Sequence, residues 1–220
     1  MKGLPRNEDF LLLFIIWTVI DICESAVPKT YYYFGYGSNV LVSTMKALRG
    51  IEPLDATAAI LPDYELRFDG SEKSRLEPSA AFVTPSKNRQ VHGILYELTA
   101  EDFAKVGSSE GVPFAYRWQK CNVHAYVGNG EDAGMLALQN EQPVEAMTLK
   151  SPKLGDKNIP PSSSYLGLIK EGAQFWRFDR EYQEELARVE AAKNLIIPQG
   201  LSGMLLKVAE TITRTPRNNK

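Results

Sequence analysis

Residues 31–40 read YYYFGYGSNV. Three tyrosines and a phenylalanine, with Thr30 ahead of them, have the aromatic density of a buried strand. The strand signal breaks off at Gly35-Tyr36-Gly37-Ser38-Asn39. VLVSTMKALRG (40–50) then shows helical spacing, with a terminal glycine suited to cap it. A strand that runs through a glycine loop into a helix start turns backbone N–H groups outward, where they can meet an anion such as a carboxylate. Ser38 or Asn39 acting as a plain helix N-cap accounts for the same residues, and the two readings are compatible.

Working outward, AAI (58–60) and YELRF (64–68) read as strand segments interrupted by Leu61-Pro62-Asp63, followed by a polar loop over 69–78. Strands are predicted at 80–83 and 91–98. A helix follows, with Thr99 as its cap, Glu101 and Asp102 in its first turn and an end near Gly107. Next come a long strand at 115–127, a short one at 134–138, and a proline- and lysine-rich excursion over 142–161. Residues 162–176 and 180–192 carry helical patterns, the second amphipathic and suited to covering a sheet. Strands crowd the middle and helices the end, without βαβ alternation. The expected class is α+β, with a curled antiparallel or mixed sheet.

The chain has 220 residues, 44% of them hydrophobic, enough for one domain with a real core. A formal net charge of −2 gives no electrostatic reason to expect nucleic acid as a partner. The N-terminus differs in kind. Lys2 and Arg6 precede FLLLFIIWTVI (10–20), and small residues follow at Cys23, Ser25 and Ala26. That apolar run is too short for a membrane span and fits a signal peptide over 1–25. Glu8 and Asp9 at its edge keep two alternatives open, an uncleaved anchor and a buried N-terminal helix. On the signal reading the protein is secreted, without stable membrane association once the signal is cleaved. Cleavage removes Lys2, Arg6, Glu8, Asp9, Asp21 and Glu24 and leaves a formally neutral domain over 30–210, with a polar tail at 211–220. Cys23 leaves too, so Cys121 has no disulfide partner within the chain.

The chemistry is carried by few residues. His92 and His124 are the only histidines, both within predicted strands, and read as structural. Cys121 reads as a small buried hydrophobe. No HExxH, CxxC or P-loop occurs, so no metal site or organic cofactor is indicated. Proton transfer then falls to a carboxylate. SSEGVPFAYR (108–117) sets Glu110 in a glycine-proline turn with Val112, Pro113 and Phe114 close behind. A carboxylate desolvated by such neighbours suits general acid–base work. A solvated loop glutamate is the plainer reading of the same turn.

Taken together, YFGYGSN after a first strand and EGV after a helix some seventy residues on resemble the γ-glutamylcyclotransferase family. VHGILYELTAEDFAKVGSSEGVPFAYR (91–117), PPSSSYLGLIKEGA (160–173) and REYQEELARV (180–189) extend the similarity over most of the chain. The resemblance implies a small, barrel-like mixed sheet with flanking helices. It implies a small-molecule γ-glutamyl substrate, conversion to 5-oxoproline and a free amino acid, and no cofactor. Glu110 would be the base and then the acid, with Gly37, Ser38 and Asn39 as the cradle and Tyr36 and Tyr116 shaping the pocket. The family's cytoplasmic setting stands against the leader, although exported insect venom members fit it. A tyrosine that the family has in the stretch matching 136–145 is missing here. Glutathione, γ-glutamylamines, or retention of the fold as an exported binding protein without turnover therefore stay open.

Overall fold

The computed structural model describes residues 29–68, 78–128, 130–151 and 159–192. The segment read as a signal peptide (1–25), the expected polar loop at 69–78 except Pro78, and the expected tail at 211–220 lie outside these residues. The unit that carries the fold begins at Tyr31.

Five strands close into a barrel: β1 (Thr30–Gly35), β2 (Asp55–Arg67), β3 (Phe82–Thr99), β4 (Arg117–Ala125) and β5 (Val144–Lys150), in the spatial order β1-β3-β2-β4-β5. β2 runs antiparallel to β3 and β4, β4 antiparallel to β5, and β5 parallel to β1 through Tyr33 and Met147. The sheet is therefore mixed and barrel-like, and closure leaves no free strand edge in it. Among the described residues, five α-helices lie around it: α1 (Val42–Arg49), α2 (Ala100–Ser109), α3 (Ala133–Asn140), α4 (Ser163–Phe175) and α5 (Arg180–Arg188). Tyr33, Phe34, Ile94, Tyr96, Leu98, Val123 and Leu149 are among the buried side chains of the core.

Local chemistry explains much of this. Gly50 ends α1 in the left-handed conformation, with its N–H on the Lys46 carbonyl and that of Ile51 on Met45. Thr99 caps α2, its hydroxyl accepting from Asp102 N at 3.1 Å. α2 runs past Gly107 to Ser109, where the Ser108 and Ser109 hydroxyls bond back to the Lys105 and Val106 carbonyls. The segments at 58–60 and 64–68 are one strand bent at a bulge. There Asp63 takes a positive φ of 59° and its carboxylate accepts from Asn88 N across the irregularity.

Two expectations are corrected by tertiary partners. Residues 134–138 are helix, not strand. The Asp179 carboxylate accepts from Gly134 N at 2.8 Å and Met135 N at 2.9 Å, an N-terminal cap supplied from a distant part of the chain. The excursion at 142–161 contains β5, which pairs along its length with β4. Thr148 Oγ1 also donates to the Phe34 carbonyl at 2.9 Å, tying β5 to β1.

α5 covers the barrel by stacking Tyr182 on His92 of β3, ring centroids 4.3 Å apart. Nδ1 of His92 is hydrogen-bonded to the Tyr126 hydroxyl, which also accepts from Asp179 N at 3.2 Å. Burial pulls the His92 imidazole down to about 3. An unfolded imidazole takes its proton near pH 6.5, so between these values the unfolded chain binds more protons than the fold. Stability should therefore fall as pH drops through that window, by up to ~1.4 kcal/mol per pH unit. The Asp179 carboxyl, raised chiefly by burial, works in the opposite sense above the ordinary carboxylate value and softens the acid end. Denaturant melts from pH 7 to 4 should show the decline, and His92→Gln should flatten it. Equal slopes in the two proteins would refute the assignment.

Candidate active site

β1 delivers Tyr36 to the head of a short 3₁₀ turn, Gly37–Val40, with α1 following after Leu41. The turn is held from above by α4. Trp176 Nε1 donates to the Val40 carbonyl at 2.8 Å, and Gly172 lets α4 come so close that a Cβ there would lie 2.2 Å from Val40. From below, the Tyr96 hydroxyl of β3 donates to the Asn39 carbonyl at 2.7 Å. Because a 3₁₀ turn stands where a helix start was expected, the Asn39 N–H is spent on the Tyr36 carbonyl at 3.2 Å.

The Asn39 side chain joins the two motifs. Its Nδ2 donates to the Tyr33 hydroxyl at 2.9 Å and to Glu110 Oε1 at 3.0 Å. Glu110 is the C-cap of α2 and its side chain is only 16% exposed. What shields it differs from expectation. Phe114 is 89% exposed, and the carboxylate is gripped instead by Asn39 and by the guanidinium of Arg49, the last residue of α1. Arg49 also donates from Nε to Ser109 Oγ at 2.9 Å.

Tyrosines rim the carboxylate. Tyr36 is buried and its hydroxyl donates to the Leu149 carbonyl of β5 at 2.5 Å. Tyr116 is buried next to Phe82, ring centroids 6.1 Å apart. Tyr165, from the first turn of α4, was not singled out in the sequence. Its hydroxyl accepts from Ala81 N at 3.1 Å and from Ser38, and lies 2.8 Å from where a Cβ on Gly37 would stand. Burial pushes the hydroxyls of Tyr33, Tyr36, Tyr116 and Tyr165 above the usual phenol range, and the Glu110 charge adds to the rise in each. All four therefore stay protonated at neutral pH.

Asn39 thus bonds Glu110 directly, Ser38 and Gly37 stand against Tyr165, and Tyr36 and Tyr116 lie within electrostatic reach of the carboxylate. Arg49 and Tyr165 were missed. Arg49 sits one residue before Gly50, whose capping role the sequence did signal, and Tyr165 falls three residues after Ser162, which the structure shows to cap α4. His92 and His124 lie on β3 and β4, His124 Nδ1 being 3.0 Å from the Glu141 carbonyl. Among the described residues no group of three or more His, Cys, Asp or Glu could hold a metal ion. No helix among them is long and apolar enough to cross a membrane.

Residues 33–160, more than half of the chain, match the family described as "Gamma-glutamyl cyclotransferase, AIG2-like". The chain belongs to this family. It is 31% identical over 163 residues to gamma-glutamyl cyclotransferase gliK of Aspergillus fumigatus, a match that covers 65% of this chain and 56% of that protein. It therefore spans little more than half the length of that relative. The gamma-glutamylcyclotransferase of Mus musculus is 24% identical over 165 residues, 74% of this chain and 80% of that one. A solved structure titled "Gamma-glutamyl cyclotransferase" shares the fold, with a TM-score of 0.65 at 21% identity over 81% of this chain and 99% of that one. The family match takes in the turn at 36–39, Arg49, Glu110 and Tyr116, and stops short of Tyr165.

Gly37 combines a left-handed backbone with close packing. Its φ is +63°, and an added Cβ would meet the Tyr165 hydroxyl and the Ala81 methyl at 2.8 and 3.0 Å. Gly37→Ala should cost about 1–3 kcal/mol, lowering Tm by roughly 2–10 °C. Gly167→Ala, on α4 with nothing within 4 Å, should raise it slightly. Thermal melts of the two variants compare them directly, and equal melting temperatures would contradict the packing described.

Proposed function

We propose that this chain is a γ-glutamylcyclotransferase acting on γ-glutamyl-amino acids. The observation that carries the reading is the Asn39–Glu110 hydrogen bond, which joins the glycine turn and the glutamate turn in one tyrosine-rimmed site. Membership of the family and the family names of its relatives support it.

Glu110 takes a proton from the substrate's α-ammonium. The freed amine nitrogen attacks its own γ-carbonyl carbon, forming the ring C–N bond and placing negative charge on the carbonyl oxygen. That charge returns as the original amide C–N bond breaks; Glu110 passes its proton to the leaving nitrogen and then relays the second proton from the ring nitrogen, so that a neutral lactam and an ammonium result. The products are 5-oxoproline and a free amino acid, with no net proton or water consumed. Proton transfer of this kind contributes about 10²–10⁴ in rate, and holding the substrate in a folded conformer adds an entropic part. The backbone N–H groups of Gly37 and Ser38 are the cradle for the substrate carboxylate or the oxyanion, since that of Asn39 is taken by the Tyr36 carbonyl. In support, Ser38 and Ala81 N already converge on an oxygen, the Tyr165 hydroxyl. Tyr36 closes the wall toward β5, and Tyr116 lies within electrostatic reach of the same carboxylate. Export by the N-terminal leader belongs to this reading, supported by the basic, apolar and small residues of 2–26. N-terminal sequencing of the mature protein from its native source tests it.

The purified chain should release 5-oxoproline from γ-glutamyl-alanine, with glutathione and γ-glutamyl-lysine assayed beside it to rank substrates. Glu110→Gln keeps the shape and removes the base, and should lower kcat at least ~100-fold while the protein stays folded. No release from any of the three by folded wild type would sink the proposal.

A further inference from the structure

One buried charge at the site has no part in the chemistry above. Arg49 ends α1, and Glu110 caps the end of α2, so two helix C-termini meet here. Each carries partial negative charge on its last carbonyls, and a carboxylate placed among them is repelled. The Arg49 guanidinium offsets all three. Its side chain is 11% exposed, with Nη2 donating to Glu110 Oε1 and Nε to Ser109 Oγ.

We propose that Arg49 is a positioning residue for Glu110, fixing which carboxylate oxygen faces the substrate. The inference rests on the cyclotransferase reading and deepens it. Asn39 and Arg49 both donate to Oε1. Neither donor reaches Oε2, the oxygen this leaves to meet a substrate ammonium. Arg49 cannot easily bind substrate itself, because Nη1, the nitrogen without a hydrogen-bond partner, is also shut off from solvent. A buried guanidinium nitrogen left unpaired costs stability. A fork held by Ser109 and Glu110 at a fixed angle is what that cost secures, and a lysine cannot reproduce it with its single nitrogen. Arg49 therefore acts on the reaction through Glu110, and its loss should appear in kcat with KM unmoved.

The test uses the full chain with γ-glutamyl-alanine as substrate, comparing wild type, Arg49→Met, Arg49→Lys, Glu110→Gln and the Arg49→Met/Glu110→Gln double variant. Misplacing a reacting group by about 1 Å costs about 10²-fold in rate. Arg49→Met should therefore lose about 100-fold in kcat, with KM within about threefold of wild type. Arg49→Lys keeps the charge but not the fork, and its kcat should lie about tenfold below wild type. Melting temperatures should be non-additive, the double variant lying closer to wild type than Arg49→Met does. A folded Arg49→Met with wild-type kcat overturns the proposal. A rise in KM alone also overturns it, since Arg49 would then bind substrate directly. If Arg49→Met does not fold, Arg49→Lys decides. A roughly tenfold fall in kcat at constant KM supports the role, and an unchanged kcat overturns it. If wild type releases no 5-oxoproline, the cyclotransferase reading itself fails. Coupled melting temperatures would then make the pair structural only and overturn the positioning role with it.

Discussion

The Asn39 amide is the interaction on which the site depends. It has two N–H bonds to give, one to Tyr33 and one to Glu110, and both are given. That fixes which end of the amide faces the carboxylate, since the oxygen turned there would set acceptor against acceptor. Its backbone carbonyl is held independently by Tyr96. One residue, through its side chain and its carbonyl, thus ties β1, β3 and the end of α2 to a single geometry. Any movement of the glycine turn is transmitted to the glutamate, and the reverse holds equally. On the cyclotransferase reading, a cradle and a base that act on the same small molecule need that rigidity more than they need extra stability.

The barrel makes this arrangement possible. Parallel pairing of β1 with β5 closes the sheet and puts the Tyr36 hydroxyl within reach of the Leu149 carbonyl. α4 then lies across the turn, with Gly172 against Val40 and Trp176 bonded to its carbonyl. The turn is held between barrel wall and helix, so its short 3₁₀ geometry does not relax into the longer helix that local spacing favoured. Tertiary contact outweighs a weak local preference here, as it commonly does when the preference is worth only tenths of a kcal/mol per residue.

What could be read from the sequence was local. The aromatic run of β1, the Gly50 and Thr99 caps and the amphipathic face of α5 are each specified within a few residues, and each appears in the structure. The pairing of the glycine turn with Glu110 was legible only as a resemblance, because 71 residues separate Asn39 from Glu110. Features set by distant partners were not legible at all. Gly134-Met135-Leu136-Ala137-Leu138 was read as a strand, yet it has no β-branched residue and its cap comes from Asp179. β5 was hidden in a polar stretch because β4 supplies its pairing. Arg49 was not singled out, although a glutamate expected to be shielded from water needs a counter-charge from somewhere.

Glu110 shows why that last omission matters. Packing apolar groups around a carboxylate and surrounding it with donors both keep water away, but only donors fix its direction. The exposed Phe114 and the paired Arg49 and Asn39 place this site in the second class. The tyrosines extend the same logic. Four neutral hydroxyls kept protonated by burial and by the glutamate's own charge form a fixed polar lining without a second titrating group to compete for the proton. The Tyr165 hydroxyl meanwhile accepts hydrogen bonds from Ser38 and Ala81. On the cyclotransferase reading, an arriving anion must share those donors with a phenol oxygen. A phenol can do so by turning its own proton toward the newcomer, changing from acceptor to donor without leaving its place. A site built this way needs little reorganisation when charge develops, which is the condition under which hydrogen-bond donors accelerate a reaction rather than merely bind.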